Sequence, residues 1–200
     1  TLFWKCTILG SLLFLNDTIV QAASALDTLL PVPRQCEARE GGLALPAKAT
    51  VSLPQAFSVL RPEIERIFQE AGMAMEPAVP GAAAFVSFRE GQVIGTTAAW
   101  QLAEAHRLDI DNAGVVVTAS QPAGAFHALQ TLRQLLPSKG TNELIPKSTI
   151  TDWPEFRIRG YMVDVGRNYQ PVAQLKEQID VLARYKYNTF HFHVTDNHGW

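Results

Sequence analysis

Two hundred residues, 47% hydrophobic and 18% charged, make up a chain with a formal net charge of −2. This composition is typical of a folded globular protein with one large or two small cores, and it argues against intrinsic disorder. The weak negative charge excludes the strong basic field of a nucleic-acid-binding protein, so no nucleic-acid partner is predicted.

The first 25 residues have the pattern of a secretory signal peptide. One cation precedes a mostly apolar run of about ten residues, and Ala23-Ser24-Ala25 has the small residues of a cleavage site. The run is too short for a bilayer core, which requires about 20 residues. We therefore predict an exported protein, periplasmic or secreted, with no membrane segment in its mature form. Loss of Cys6 with the signal would leave Cys36 alone, so no intrachain disulfide is predicted.

Residues 26–152 are predicted to form a compact, small N-terminal α+β domain. Its elements are indicated by hydrophobic periodicity, a β-branched run and proline at a first helical turn. The predicted strands are Thr50–Leu53, Ala84–Phe88, Arg107–Ile110 and Gly114–Ala119, and the predicted helices lie at Pro62–Ala71 and between Pro122 and Pro137. A polar loop is expected at Lys139–Glu143, and the second helix is expected to pack on the strands before it.

Residues 153–200 are predicted to open a second domain, so that the chain as a whole is α/β. After a junction at Thr151–Phe156, the predicted elements are a strand at Ile158–Val165, a helix at Val172–Lys186 and a strand at Asn188–Val194. Strands joined by a helix of this length pair in parallel, and a parallel sheet needs both faces covered. We therefore predict the first β-α-β unit of a truncated (β/α)8 TIM barrel, and we expect the natural protein to continue beyond Trp200.

Two charged residues follow the predicted strand ends, where barrel enzymes carry their sites. Arg167 offers a planar fork of donors for hydroxyls or carboxylates, and Asp196 can orient a polar group or tune a neighbouring pKa. The structural alternative is that Arg167 pairs with Asp164 and that Asp196 caps a turn.

Residues 159–168, 183–188 and 191–200 resemble the start of the catalytic domain of glycoside hydrolase family 20. Residues 124–136 and 150–156 resemble the small domain that precedes that barrel. The resemblance implies an exo-acting β-N-acetylhexosaminidase that acts on glycans such as chitin oligosaccharides. It further implies substrate-assisted, retaining hydrolysis, an N-acetylhexosamine-terminated oligosaccharide as the partner, and no metal or organic cofactor.

The resemblance also implies roles for single residues. Arg167 matches the arginine that binds hydroxyls of the terminal sugar, and Asp196 matches an aspartate that supports the acid/base through a hydrogen-bonded network. The family's adjacent Asp-Glu pair is expected downstream of Trp200. Neither Glu155, before the first barrel strand, nor Glu177, on an outer helix, can replace it, so this 200-residue stretch is predicted to be inactive by itself.

Two other classes of protein remain open. His191 and His193 lie on one face of a strand, and such a pair is typical of zinc ligands in amidohydrolases. With Asp196 or His198 they would indicate a zinc-dependent TIM-barrel amidohydrolase. In the resembling family these histidines pack and donate hydrogen bonds inside the barrel mouth without metal. The second alternative is a non-catalytic glycan-binding module built from the first domain.

Overall fold

The computed structural model describes residues 25–79, 81–93, 95–96 and 98–195. Apart from Ala25, the predicted signal peptide lies outside these ranges, and so do Asp196 and His198. Within the described ranges, no helix combines the length and the apolar character that a membrane crossing requires.

Seven strands of the described residues form one mixed sheet. They are β1 (Gln35–Leu43), β2 (Lys48–Ser52), β3 (Ala74–Pro77), β4 (Val86–Glu90), β5 (His106–Asp111), β6 (Gly114–Ala119) and β7 (Ile145–Asp152). Their order across the sheet is β1-β7-β5-β6-β4-β2-β3. Neighbours from β1 to β6 run antiparallel, and neighbours from β6 to β3 run parallel. The sheet and its helices together make the α+β part of the chain.

The 3₁₀-helix and the two longer α-helices of this part bury apolar side chains against the sheet, whereas the short helix between them buries none. They are a 3₁₀-helix (Gln55–Leu60), α1 (Arg61–Glu70), the short α2 (Ala99–Leu102) and α3 (Pro122–Leu135). Proline stands in the first turn of both α1 and α3, where a missing amide donor has no intrahelical partner to lose. Ile64, Ile67 and Phe68 of α1 and Leu129 and Leu132 of α3 are fully or almost fully buried. They join the strands in one continuous core.

A glycine allows α3 to approach the sheet closely. A Cβ atom on Gly124 would lie 2.3 Å from the carbonyl oxygen of Ala105 and 3.2 Å from the Cβ of Ala119. Any larger side chain would push the helix away from the backbone that leads into β5. The contact that the apolar periodicity of α3 predicts therefore depends on a residue outside that periodicity.

The remaining described elements form a second unit. Strand β8 (Gly160–Asp164), helix α4 (Val172–Arg184) and strand β9 (Thr189–His193) follow the junction. Strands β8 and β9 pair in parallel, with Asp164 opposite His193 at their carboxyl ends. Tyr161, Met162 and Phe192 are about half exposed, at 47%, 56% and 45%. The predicted parallel β-α-β unit is confirmed.

The predicted elements exist, with ends displaced by a few residues, but three strands escaped the sequence analysis. Strand β1 is polar and lies at a sheet edge, β3 is only four residues long, and β7 contains Pro146 and several hydroxyl side chains. Thr151 and Asp152, placed in the predicted junction, are the last two residues of β7. Short or polar strands carry no clear hydrophobic alternation, so the sequence pattern does not reveal them. Only β7 of the three is mostly buried.

Candidate functional site

The first candidate site is a cluster of three residues at the carboxyl edge of the β8–β9 pair: Asp164, Arg167 and His193, called here the strand-end cluster. Asp164 and His193 are the last residues of their strands and face each other in register. Arg167 lies in the turn that follows β8. In parallel barrels this edge carries the substrate-facing loops, so the cluster lies where a functional site is expected.

The carboxylate of Asp164 joins the other two residues. Its Oδ1 accepts a hydrogen bond from the backbone amide of Arg167 at 3.1 Å and lies 3.4 Å from Nδ1 of His193. Its Oδ2 lies 3.6 Å from Nε of Arg167. The Arg167 side chain is 68% exposed, compared with 25% for that of Asp164. The arginine therefore points into the solvent-facing space at the strand ends, with its base held by the aspartate.

The surroundings keep Asp164 ionised. Partial desolvation acts to raise its pKa, but the donated amide hydrogen of Arg167, the His193 ring and the Arg167 charge outweigh it, so the pKa lies below its ordinary value. A carboxylate with a lowered pKa is an acceptor across the neutral range, which is the opposite of what a general acid requires. Asp164 is thus suited to hold cations and donors.

The turn that carries Arg167 is tied to the end of β9. The amide of Val165 donates to the carbonyl of His193 at 3.0 Å. A Cβ atom on Gly166 would lie 3.0 Å from the carbonyl oxygen of Val194, so glycine permits the close approach of the two chains. The position of Arg167 relative to the strand ends is therefore set by the backbone on both sides.

The predicted site residues are brought together only in part. Arg167 lies at the expected edge and pairs with Asp164, as the structural alternative predicted, while its sugar-binding role stays a prediction. Asp196 lies outside the described residues, so its supporting role also stays a prediction. Glu155 pairs with Arg34 at 3.3 Å near the domain junction, and Glu177 lies on α4. Neither glutamate belongs to the strand-end cluster.

The histidine pair lies on one face of β9, as predicted. The rings of His191 and His193 are 6.2 Å apart and perpendicular. Within the described ranges, no group of three or more His, Cys, Asp or Glu side chains is placed to hold a metal ion. The zinc hypothesis also needs Asp196 or His198, which lie outside those ranges.

A second group of polar residues, missed by the sequence analysis, lies between the sheet and the β8–β9 unit. This junction network consists of Glu104, His106, His127, Asp152, Arg159 and Lys186. Lys186 donates to Oδ2 of Asp152 at 2.8 Å, and Arg159 pairs with the carboxylate of Glu104. The side chains of Lys186 and Asp152 are only 7% and 10% exposed. Two ion pairs thus attach the amino ends of β8 and β9 to the first unit.

The backbone of Lys186 is unusual for a residue with a side chain. Helix α4 ends in a Schellman motif, in which Tyr187 donates its amide to Leu182 at 3.1 Å and Lys186 donates to Ala183 at 3.0 Å. Lys186 therefore stands at the left-handed position that glycine usually occupies, with φ 62°. A lysine at this position is the one sequence signal of the network. Its left-handed backbone conformation costs free energy, which the buried ion pair with Asp152 offsets.

The two histidines of the junction network are held neutral. Burial lowers the pKa of His106 well below its ordinary value, and the nearby Lys186 charge adds to the effect. Burial, together with the positive charges of Lys186 and Arg159, lowers the pKa of His127 from 6.5 to about 3. Glu104 lies 3.6 Å from His127, but its carboxylate is already paired with Arg159.

The lowered pKa values of His106 and His127 predict that the protein loses stability in acid. Below pH 6.5 the unfolded chain binds protons at both rings while the folded protein does not. The free energy of unfolding therefore has its full value above that pH and falls as the pH decreases towards 3. From His127 alone the loss is about 2 kcal/mol at pH 5. Urea unfolding from pH 7.5 to pH 5 measures it. The variant His127→Gln should show a flatter pH dependence, and an unchanged slope would contradict the neutral state of His127.

A cleft of about 690 Å³ lies beside the junction network. Its wall contains the network residues together with aromatic side chains, namely Trp153, Phe156, Tyr185 and Tyr187. Arg159 and Lys186 reach their carboxylates from this wall, so the charges of the cleft are matched inside the protein. The network acts as an interface between the two units.

Comparisons with known proteins give a consistent result. The family model described as "Glycosyl hydrolase family 20, domain 2" matches residues 27–153, and "Glycosyl hydrolase family 20, catalytic domain" matches residues 156–200. A beta-hexosaminidase of Vibrio furnissii is 34% identical over 178 residues, which is 86% of this chain and 27% of the relative. An N,N'-diacetylchitobiase of Vibrio harveyi is 34% identical over 181 residues, 86% of this chain and 19% of the relative.

Solved structures show the same likeness. The GH20 exo β-N-acetylglucosaminidase of Vibrio harveyi, in complex with N-acetylglucosamine, superposes with a TM-score of 0.72 at 28% identity, over 88% of this chain and 26% of that one. The N-acetyl-β-hexosaminidase of Streptomyces plicatus, in complex with Thio-NAglucal, gives a TM-score of 0.74 at 30% identity, over 88% and 36%. The chain thus spans about a quarter of the first curated relative, 27% of its length.

Proposed function

Because the chain belongs to glycoside hydrolase family 20, we propose that the whole protein is a β-N-acetylhexosaminidase that removes terminal N-acetylhexosamine residues from the non-reducing ends of glycans. The observation that carries the proposal is the position of Arg167 at the carboxyl edge of two parallel strands, within the stretch that matches the catalytic domain. Chitin oligosaccharides are the substrates we propose, and the diacetylchitobiase relative supports that choice.

The proposed reaction is substrate-assisted. The acetamido oxygen of the sugar attacks the anomeric carbon, the leaving oxygen takes a proton from an acid, and water later opens the oxazolinium intermediate with net retention. The acid/base glutamate and the aspartate that orients the acetamido group are proposed to lie beyond Trp200. Within this chain, Arg167 would bind hydroxyls of the terminal sugar, and Asp196 would support the acid/base.

We further propose that the protein is exported. The support is the pattern of residues 1–25, in which one cation, a short apolar run and small residues follow one another as in a signal peptide. Export would bring the enzyme to polymeric or oligomeric glycans outside the cytoplasm. The periplasm and the extracellular space are both consistent with this pattern.

The first test is Arg167→Ala in the complete enzyme. A charged donor that binds sugar hydroxyls contributes about 1.5–3 kcal/mol, so we expect kcat/KM on an aryl N-acetyl-β-glucosaminide to fall by about 10–100-fold. Arg167→Lys keeps the charge but loses the planar fork, so it should recover only part of the activity. Arg157→Ala, at an exposed arginine before β8, is the matched control and should behave like the wild type.

Two outcomes would contradict the assignment. Unchanged kinetics in Arg167→Ala would remove that residue from the site. Activity that a chelator abolishes, with metal bound stoichiometrically, would favour the zinc-dependent amidohydrolase instead. A protein that binds chitin oligosaccharides without releasing N-acetylglucosamine would favour the non-catalytic module.

A further inference from the structure

Both oxygens of the Asp164 carboxylate are engaged by the protein itself. Oδ1 accepts from the Arg167 amide and faces His193, while Oδ2 faces the Nε of Arg167. A carboxylate that contacts a sugar directly would need an oxygen turned towards the ligand. Asp164 instead contacts Arg167 at both its backbone amide and its side chain, in addition to facing His193.

These two contacts restrain the side chain of Arg167, which is proposed to bind the substrate. The amide contact fixes the turn three residues after the carboxylate, as in other side-chain-to-backbone motifs. The Nε contact, at 3.6 Å, limits the directions that the guanidinium can take. A long arginine side chain loses rotamer entropy when a ligand orders it, and ordering it before the ligand arrives removes that cost from binding.

His193 in turn restrains the aspartate. Its Nδ1 is buried and has no well-formed hydrogen bond within the described part of the chain, yet it lies 3.4 Å from Oδ1 of Asp164. With the proton on Nδ1, the ring can donate to that oxygen. The register of β8 and β9 brings the two residues together, and the perpendicular ring of His191 lies 6.2 Å from that of His193. The contacts therefore run in sequence from His193 on the strand, through Asp164, to the exposed side chain of Arg167.

We infer that Asp164 and His193 are positioning residues that aim the Arg167 guanidinium at the hydroxyls of the terminal sugar. The inference rests on the proposed function for the identity of the ligand. It assigns to Asp164 the direct hold on Arg167 and to His193 the hold on Asp164. Neither residue takes part in proton transfer.

The test is a double-mutant cycle in the complete enzyme, with kcat and KM measured on an aryl N-acetyl-β-glucosaminide. Asp164→Ala should lower kcat/KM by about tenfold in the wild-type background, because a misaimed group binds the transition state poorly. In the Arg167→Ala background the same change should have almost no effect, since nothing remains to be aimed. A general structural role for Asp164 would lower activity equally in both backgrounds, which would overturn the inference.

Two milder variants keep the test informative if Asp164→Ala fails to fold. Asp164→Asn retains an acceptor for the Arg167 amide and should lose about threefold, and His193→Gln should lose a similar factor. Both losses should vanish in the Arg167→Ala background. Thermal unfolding of each variant confirms that the comparison is between folded proteins.

The outcomes separate this inference from the proposed function. A wild-type enzyme without activity on any aryl N-acetylhexosaminide would overturn both. A wild-type enzyme that is active, and that Arg167→Ala impairs while Asp164→Ala and Asp164→Asn leave it unchanged, would overturn the positioning role alone. Losses that depend on the presence of Arg167 support it.

Discussion

Replacing Lys186 by methionine is expected to destabilise the protein by about 3–5 kcal/mol, the usual cost of leaving one member of a buried ion pair alone. Asp152 would keep the amide of Arg34 at 3.2 Å and the neutral His106 at 4.0 Å, and neither replaces a cation. Burial lowers the pKa of Lys186, and the charge of Asp152 counteracts that shift. The charge of Asp152 therefore offsets part of the cost of burying the lysine. Urea unfolding at neutral pH measures the loss.

The controls distinguish the ion pair from the loss of a lysine. Lys176→Met removes an exposed charge from α4 and should change stability by less than about 0.5 kcal/mol. The double variant Asp152→Leu with Lys186→Met removes both charges and should recover much of the stability, because apolar pairs of similar volume replace buried ion pairs well. Equal stability of Lys186→Met and Lys176→Met would show that the junction does not depend on this pair.

Replacing Phe57 by alanine is expected to cost about 3–5 kcal/mol, as for other large aromatic side chains removed from a core. Phe57 belongs to the 3₁₀-helix and is fully buried, and its ring packs edge-on against that of Phe88 with the ring centres 6.3 Å apart. The side chain fills the space between the 3₁₀-helix and the parallel part of the sheet. Its removal leaves a cavity that strand and helix backbones cannot close. The midpoint of urea unfolding should fall accordingly.

The matched control lies two residues along the same 3₁₀-helix. Val59 is 70% exposed, so Val59→Ala should change the unfolding free energy by less than about 0.5 kcal/mol. A comparable loss in both variants would mean that the turn itself, and not the burial of Phe57, limits stability. A loss confined to Phe57→Ala identifies the packing under the 3₁₀-helix as a part of the main core.

The junction network explains how the two units hold each other although their elements hardly intermix. Glu104 and Asp152 belong to the first unit, and Arg159 and Lys186 belong to the second. Within the second unit, the backbone amide of Arg159 donates to Oδ1 of Asn188 at 3.0 Å, and the side-chain amide of Asn188 donates to the carbonyl oxygen of Arg157 at 2.9 Å. These contacts lie at the amino ends of β8 and β9, opposite the strand-end cluster. In barrels this end serves stability and the other end serves chemistry.

Local signals in the sequence predicted the long, periodic elements. The apolar positions of α3, the β-branched run of β6 and the proline in the first turn of α1 each determine an element through nearest neighbours along the chain. The parallel pairing of β8 and β9 also followed from the length of the helix between them. Strand β7 could not be predicted in this way, because it lies between β1 and β5, which come from distant parts of the chain.

The candidate site shows the same division. The strand-end rule was enough to single out Arg167, since it depends only on where a strand stops. The pairing of Asp164 with Arg167 is local, since the two residues are three apart in the chain. The contact of Asp164 with His193 depends on the register of β8 and β9, and a shift of one residue would turn the side chains of one strand to the opposite face. The partners of Lys186 lie still further away in the chain.

By itself, then, the sequence determined the fold class, the family resemblance and the residue that follows the first barrel strand, because these are recorded in periodicity and in ordered motifs. The tertiary structure alone decided the neutral histidines, the buried pair of Lys186 and Asp152, and the contact between Asp164 and His193. Burial and electrostatic coupling act through space over a few ångströms, so they become visible only when distant segments have been brought into contact.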